Sequence, residues 1–185
     1  MPQIANLIGG PAEAFIDTGT LASVGHTKGG IKLEAGEPIF MDLGTDLTGQ
    51  TVVRRIKDGM QPDFITLPLA EETFENLQLA ISGMELIIDD VDDEKQRLER
   101  RIVAGGAPTE TKFVIKPIDP ATGIVTTDKK KWLTIPKAVA VGAVETTYAT
   151  GEQRIYNARF QAMPEELSGG IYRTFFFGDS SAVAA

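Results

Sequence analysis

The residues with the most chemical potential form a short acidic run, Asp89-Asp90-Val91-Asp92-Asp93-Glu94, preceded by Glu85 and followed by Lys95, Arg97, Arg100 and Arg101. Converging carboxylate oxygens are what a hard cation such as calcium requires. The EF-hand spacing is not met. In a loop starting at Asp90, Lys95 stands where the turn glycine belongs, and Arg101 where the bidentate glutamate belongs. Runs of like charge are ordinarily solvated or turned toward another molecule, so this segment reads as a solvated acidic loop.

The second constellation is Gly25-His26-Thr27-Lys28-Gly29-Gly30. A phosphate-cradling loop needs a Gly-x-x-x-x-Gly-Lys-Ser/Thr order leading into a helix. That order is absent, and Ile31-Lys32-Leu33-Glu34 reads as a strand, so the segment is expected to be a Lys-Gly-Gly turn between strands. His26 is the only histidine and there is no cysteine. Multi-histidine metal sites, thiolate zinc sites, thiol nucleophiles and disulfides are thereby excluded. His26 is the one residue available to a Ser-His-Asp arrangement, and it reads as a polar strand-end residue. Nothing among the 26 acids selects a pair for carboxylate hydrolysis. No catalytic residue, cofactor or metal is expected, and the chain is not read as an enzyme.

Lys129-Lys130-Lys131-Trp132 and Arg54-Arg55 could meet nucleic-acid phosphates, with Trp132 as a stacking platform. The overall charge opposes this. Eighteen Lys and Arg against 26 Asp and Glu leave −8, the wrong sign for gripping a polyanion over a broad face. An acidic wall would instead repel a duplex and let it slide. The basic stretches then read as charge partners for the acidic loop of another molecule, or as long cationic side chains guarding sheet edges.

The chain has 185 residues, enough for one core. The expectation is one domain over residues 1–179 with a frayed small-residue tail, Ser180–Ala185. The segment Met1–Ile8 has no basic region ahead of its apolar stretch, and no run approaches the roughly 20 apolar residues that span a bilayer. A soluble protein made in a cytoplasm, with no membrane segment, is expected.

Glycine and proline punctuate the chain at short intervals, which favours turns joining short strands. Phe113 and Ile115 alternate with Lys112, Val114 and Lys116. Ile39, Met41 and Leu43 share a face opposite Phe40 and Asp42. Tyr156, Ala158, Phe160 and Ala162 alternate with polar residues. Asp119-Pro120-Ala121-Thr122-Gly123 and Thr150-Gly151-Glu152 are placed to turn two hairpins. Lys137–Val144 and Ile171–Phe177 are apolar on both faces and must be covered on both, by the core or a neighbouring subunit. One helix is expected over Glu71–Ile81, with Phe74, Leu77 and Ile81 on its apolar stripe, Leu79 off it, and Gly83 ending it. The segment 44–63 is too long and polar for a tight connection and reads as an extended hairpin arm or loop. The fold class is therefore mainly β: a β-sandwich or partial barrel with one flanking α-helix and that arm.

Several strings in this order resemble the major tail tube proteins of long-tailed bacteriophages, particularly those with non-contractile tails. They are Ile16-Asp17-Thr18 through Val24-Gly25-His26-Thr27-Lys28-Gly29-Gly30-Ile31-Lys32-Leu33, then Thr66-Leu67-Pro68-Leu69-Ala70-Glu71-Glu72-Thr73-Phe74-Glu75-Asn76-Leu77, then Ile135-Pro136-Lys137-Ala138-Val139 and Tyr156–Pro164. The resemblance covers most of the chain. It implies hexameric rings of this chain, stacked into a virion tail tube that is the channel for genome passage, with subunits made in the bacterial host cytoplasm. By the same resemblance the partners are other copies of the chain and tape measure, tail terminator and tail-tip proteins, while double-stranded DNA passes without specific binding. The arm would carry subunit contacts through Leu43, Asp46, Leu47, Val52, Arg54, Arg55 and Met60. Ring-to-ring charge contacts are expected between Asp89, Asp90, Asp92 and Asp93 and Lys129, Lys130 and Lys131, and Glu34 and Asp42 are the candidates for facing the lumen. The alternative is a β-sandwich virion decoration or carbohydrate-binding module using Trp132 or Tyr148 as a platform.

Overall fold

The computed structural model describes residues 11–43, 54–101, 108–142, 144 and 153–182. In chain order the strands are β1 (Ala12–Asp17), β2 (Leu21–Ser23), β3 (Lys32–Glu34), β4 (Pro38–Leu43), β5 (Arg54–Met60) and β6 (Phe64–Leu69). The helix α1 (Phe74–Ala80) precedes β7 (Met84–Ile88), β8 (Gln96–Arg100) and β9 (Glu110–Pro117). A 3-10 turn at Lys129–Lys131 leads into β10 (Leu133–Ala140), followed by β11 (Tyr156–Ala162), β12 (Glu165–Leu167), β13 (Ile171–Arg173) and β14 (Phe176–Phe177). The chain is mainly β, with antiparallel pairing throughout and one α-helix among the described residues. No described helix is long and apolar enough to cross a membrane.

The main sheet runs β2-β1-β9-β10-β11-β6-β3, with β14 joined to β10. Its two edges belong to one stretch of chain. Val24 donates to the Ala14 carbonyl of β1, and after a bend at Gly25 the His26 carbonyl accepts from Ala70 while Lys28 donates to Pro68. The sheet thus curls back on itself as a partial barrel. Gly25 makes the bend possible: its φ is +88°, and a Cβ there would lie 2.3 Å from the Glu71 carboxylate.

The enclosed face is built from Phe113, Phe160, Ile65, Leu67, Leu69 and Ile135, all fully buried. Phe113 and Phe160 meet edge to face at 4.8 Å between centroids, a favoured aromatic geometry. β11 follows the expected alternation, burying Tyr156, Ala158, Phe160 and Ala162. β9 does not: Val114 is buried together with Phe113 and Ile115, because this strand lies in the middle of the sheet between β1 and β10. The apolar strand expected at Lys137–Val144 is instead Leu133–Ala140. Its register against β9 shifts between Ile135 and Ala138, where Pro136 has no N–H for the ladder.

The helix is shorter than expected and turned differently. Thr73 caps it by accepting from the Asn76 N–H, and the buried residues are Asn76 and Ala80 while Phe74 is exposed. Asn76 is tolerated inside because its side-chain amide donates to the Glu71 carbonyl at 3.1 Å. Leu77, Leu79 and Ile81 pack against the core, so Leu79 belongs to the contact face. Gly83 does take a left-handed φ of +82°, two residues beyond the Ile81 cap.

One connection differs from the expected hairpins. The Asp119–Gly123 turn forms, with Gly123 donating to the Asp119 carbonyl at 2.7 Å, but it leads only to a bridge between Ile118 and Val125. The partner strand begins at Leu133. β10 and β11 pair as expected, and their turn at Thr150-Gly151-Glu152 lies outside the described residues. Ile171–Phe177 is split, β13 pairing with β12 and β14 with β10, because Thr174 between them turns its hydroxyl to Asp63. The tail is also partly held: the Asp179 carboxylate accepts from the Ser181 N–H and hydroxyl at 2.9 Å.

Candidate assembly surfaces

The arm expected at 44–63 is a two-stranded hairpin built from β4 and β5. Its described strands are Pro38–Leu43 and Arg54–Met60, so it starts earlier and ends earlier than the sequence reading placed it. Neither strand pairs with the barrel. Pairing of Met41 with Ile56, Asp42 with Arg55, and Leu43 with Arg54 gives the ribbon two faces. One carries Ile39, Met41, Leu43 and Ile56, all exposed. The other carries Phe40, Asp42, Arg55 and Lys57. There Arg55 donates to both Asp42 oxygens, at 2.6 and 3.0 Å, and lies 5.7 Å from the Phe40 ring centroid. The Arg55 hydrogen bond holds the Asp42 carboxyl below its usual range and raises Arg55 in turn. Of the expected arm residues, Leu43, Arg54, Arg55 and Met60 stand on this ribbon, whereas Asp46, Leu47 and Val52 lie outside the described residues.

The arm is anchored at its root by Asp63, which the sequence reading had included in the arm and which is buried in the body. Its carboxylate accepts from the Gly36 N–H at 2.6 Å and from the Thr174 hydroxyl, and its carbonyl accepts from Ala162. Gln61 donates to the Glu37 carbonyl at 2.9 Å. Gly36 is there for room: a Cβ would lie 2.0 Å from the Gln61 carbonyl oxygen.

The acidic run forms the turn of the β7–β8 hairpin. Asp89 accepts from the Val91 and Asp92 N–H groups, and Asp92 pairs with Lys95 at 2.8 Å. No three potential ligands converge on a metal site among the described residues. Between Glu71 and Arg101 ten acids meet four bases, so this stretch holds six of the eight net negative charges. At the basic turn, Asp128 accepts from the Lys130 N–H and Lys129 reaches Asp179 at 3.9 Å.

Both residues expected to face a lumen are paired. Glu34 meets Lys32 at 2.6 Å and Arg159 at 2.9 Å; Lys32, ahead of Arg159, lowers its carboxyl. Asp42 is held by Arg55. The open face of the barrel continues this pattern, with Lys112 on Asp17 at 2.7 Å and Lys137 on Glu110 at 3.5 Å. Its charges cancel locally, and the acidic excess sits on Glu71 and Glu72 ahead of α1, on Glu75 within it, and on the β7–β8 hairpin instead.

The Gly25–Gly30 segment is a turn between β2 and β3 with Gly29 and Gly30 at positive φ. The His26 N–H donates to Glu71, and its side chain is 92% exposed. Trp132 is not a free platform. Its Nε1 donates to the Thr126 carbonyl at 3.1 Å, and Lys116 Nζ sits 4.2 Å from the centroids of both Trp132 and Phe15. Tyr148 lies outside the described residues. A cleft of about 380 Å³ beside α1 is lined by Asp17, Glu75, Glu110, Lys112 and Phe160, yet Asp17 and Glu110 are each tied to a lysine rather than to one another.

Sequence reasoning missed the root clamp, whereas the apolar Ile171–Phe177 segment, expected to be covered by the core or a neighbouring subunit, leaves Ile171, Tyr172 and Phe177 exposed. Asp63 joins residues 27 and 111 positions away, a link no spacing rule announces. No protein-family model matches the chain, and no curated protein matches it in sequence.

Proposed function

We propose that the protein is a structural subunit that assembles with copies of itself into stacked rings forming a tube, the role implied by its resemblance to phage tail tube proteins. The observation that carries this reading is the β4–β5 arm. Ile39, Met41, Leu43 and Ile56 form an exposed apolar face with no partner among the described residues, and an isolated two-stranded hairpin is marginal in water. Covering that face on another copy supplies what the ribbon lacks. A head-to-tail contact of this kind is not self-complementary, and its repetition generates a ring where the rotation closes and a filament where it does not.

DNA passage is part of the same proposal. A wall whose cations are already engaged by carboxylates offers phosphates few groups to displace condensed counterions. Glu34 and Asp42, being ion-paired, serve such a wall by occupying Arg159 and Arg55 rather than as bare charges. The acidic β7–β8 turn and Lys129–Lys131 remain available for contacts between rings. A carbohydrate-binding module gains nothing from Trp132, whose ring is covered by Lys116.

Negative-stain electron microscopy of the purified chain, alone and with tail-tip components, tests the reading. Rings or tubes are expected. Removing 38–60 and joining Glu37 to Gln61, which already hydrogen-bond, keeps Asp63 in place; this variant is expected to fold and fail to assemble.

A further inference from the structure

Among the described residues, exposed large apolar side chains cluster in two places, apart from Phe74, Ile88, Val91 and Ile124. One is the arm. The other is the C-terminal ribbon, where Ile171 and Tyr172 of β13 are 62% exposed and Phe177 of β14 is 65% exposed. These sites sit next to each other in the fold. Thr174, between β13 and β14, hydrogen-bonds the same Asp63 carboxylate that holds Gly36 at the arm's root. The arm does not fold back over this patch, since its apolar face and the patch are both exposed.

We infer that the C-terminal ribbon is the receiving surface for the arm of a second copy, so that Ile39, Met41, Leu43 and Ile56 of one chain cover the ribbon face of the next that carries Tyr172 and Glu166, with Ile171 on the opposite face of β13. Charge supports the pairing. Arg54 ends the arm's apolar face opposite Leu43, and Glu166 lies opposite Tyr172 on the ribbon. Neither makes an ion pair among the described residues, so each supplies the other's counter-charge on docking. The position of the patch also explains its clamp. An arm docked at the root of the next arm presses on the β13–β14 segment, which Thr174 ties to Asp63, and each contact is made where the following arm begins. This rests on the self-assembly reading and specifies its contact.

The chain has no cysteine, so introduced pairs report unambiguously. Met41→Cys and Tyr172→Cys chains of different tag length are mixed, allowed to assemble and oxidised, with Met41→Cys plus Ile124→Cys as the control. A mixed disulfide several-fold above the control is expected. A second variant, Ile171→Ser/Tyr172→Ser/Phe177→Ser, is expected to keep the wild-type circular dichroism spectrum and lose assembly at concentrations where the wild type assembles. Wild-type assembly with a mixed disulfide no better than the control, a dominant Met41→Cys self-disulfide, or normal assembly of the folded triple variant overturns this contact while leaving self-assembly standing. A wild type that stays monomeric overturns both.

Discussion

The carboxylate of Asp63 takes a 2.6 Å hydrogen bond from the backbone N–H of Gly36, and so fixes where the β4–β5 arm leaves the barrel. Its other oxygen accepts the Thr174 hydroxyl. One buried side chain therefore joins the arm's root, the start of β6 and the exposed C-terminal ribbon. Replacing it with alanine strands the Gly36 N–H and the Thr174 hydroxyl, at a cost of about 1–3 kcal/mol for a buried unpaired group. Urea unfolding of Asp63→Ala is expected to show a loss of that size, and proteolysis to open the arm's root. Unchanged stability would mean that the clamp holds nothing.

Gly36→Ala tests the same root by crowding instead of deletion. The added Cβ meets a backbone carbonyl that cannot rotate away, so the expected cost is about 1–3 kcal/mol, as for overpacking elsewhere. Thermal unfolding reads it, and a neutral result would show that the Gly36–Gln61 approach is looser than described.

In the core, Phe160→Ala removes the edge-to-face partner of Phe113 and leaves a cavity at the centre of the sheet. The expected loss is about 3–5 kcal/mol, measured by chemical denaturation. A loss below about 1 kcal/mol would contradict the placement of Phe160 as a fully buried residue.

The ion-paired open face makes a prediction in pH. Lys112, followed by the Gly19 N–H, lowers the Asp17 carboxyl from 3.8. A depressed carboxylate contributes stability above its unfolded value and loses it as pH falls through the lower folded value. The melting difference between wild type and Lys112→Met is thus expected to be steady near neutral pH and to vanish as pH drops below 3.8. It stays under about 1 kcal/mol because the pair is partly exposed. Carboxyl NMR should place the Asp17 midpoint below 3.8 in the wild type and nearer to it in the variant. A midpoint that does not move removes Lys112 as the cause.

Much of the fold was legible in the sequence because burial imposes period two on a strand with one wet face. β11 shows this directly: Tyr156, Ala158, Phe160 and Ala162 are its buried residues. β4 alternates in sequence as a half-buried strand would, yet both of its faces are exposed because it pairs only with β5, which brings Ile56 onto the face of Met41. Periodicity failed where position in the sheet overrode it, as at Val114, and where a short helix was oriented by its cap. Thr73 and Asn76 set the angle of α1 and turn Phe74 outward. The candidate site was half legible. An unpacked arm announces itself by length, but Asp63 reads as the last polar residue of a loop until Gly36 and Thr174 are brought to it by the fold.

The central claim, that this chain covers its arm on copies of itself, is tested most directly by sedimentation velocity of the wild type and the 38–60 deletion across a concentration series. The account predicts species much larger than one 19.9 kDa chain for the wild type as concentration rises, and a folded monomer throughout for the deletion. A wild type that remains monomeric at the highest concentration, or a deletion variant that assembles as the wild type does, would contradict it.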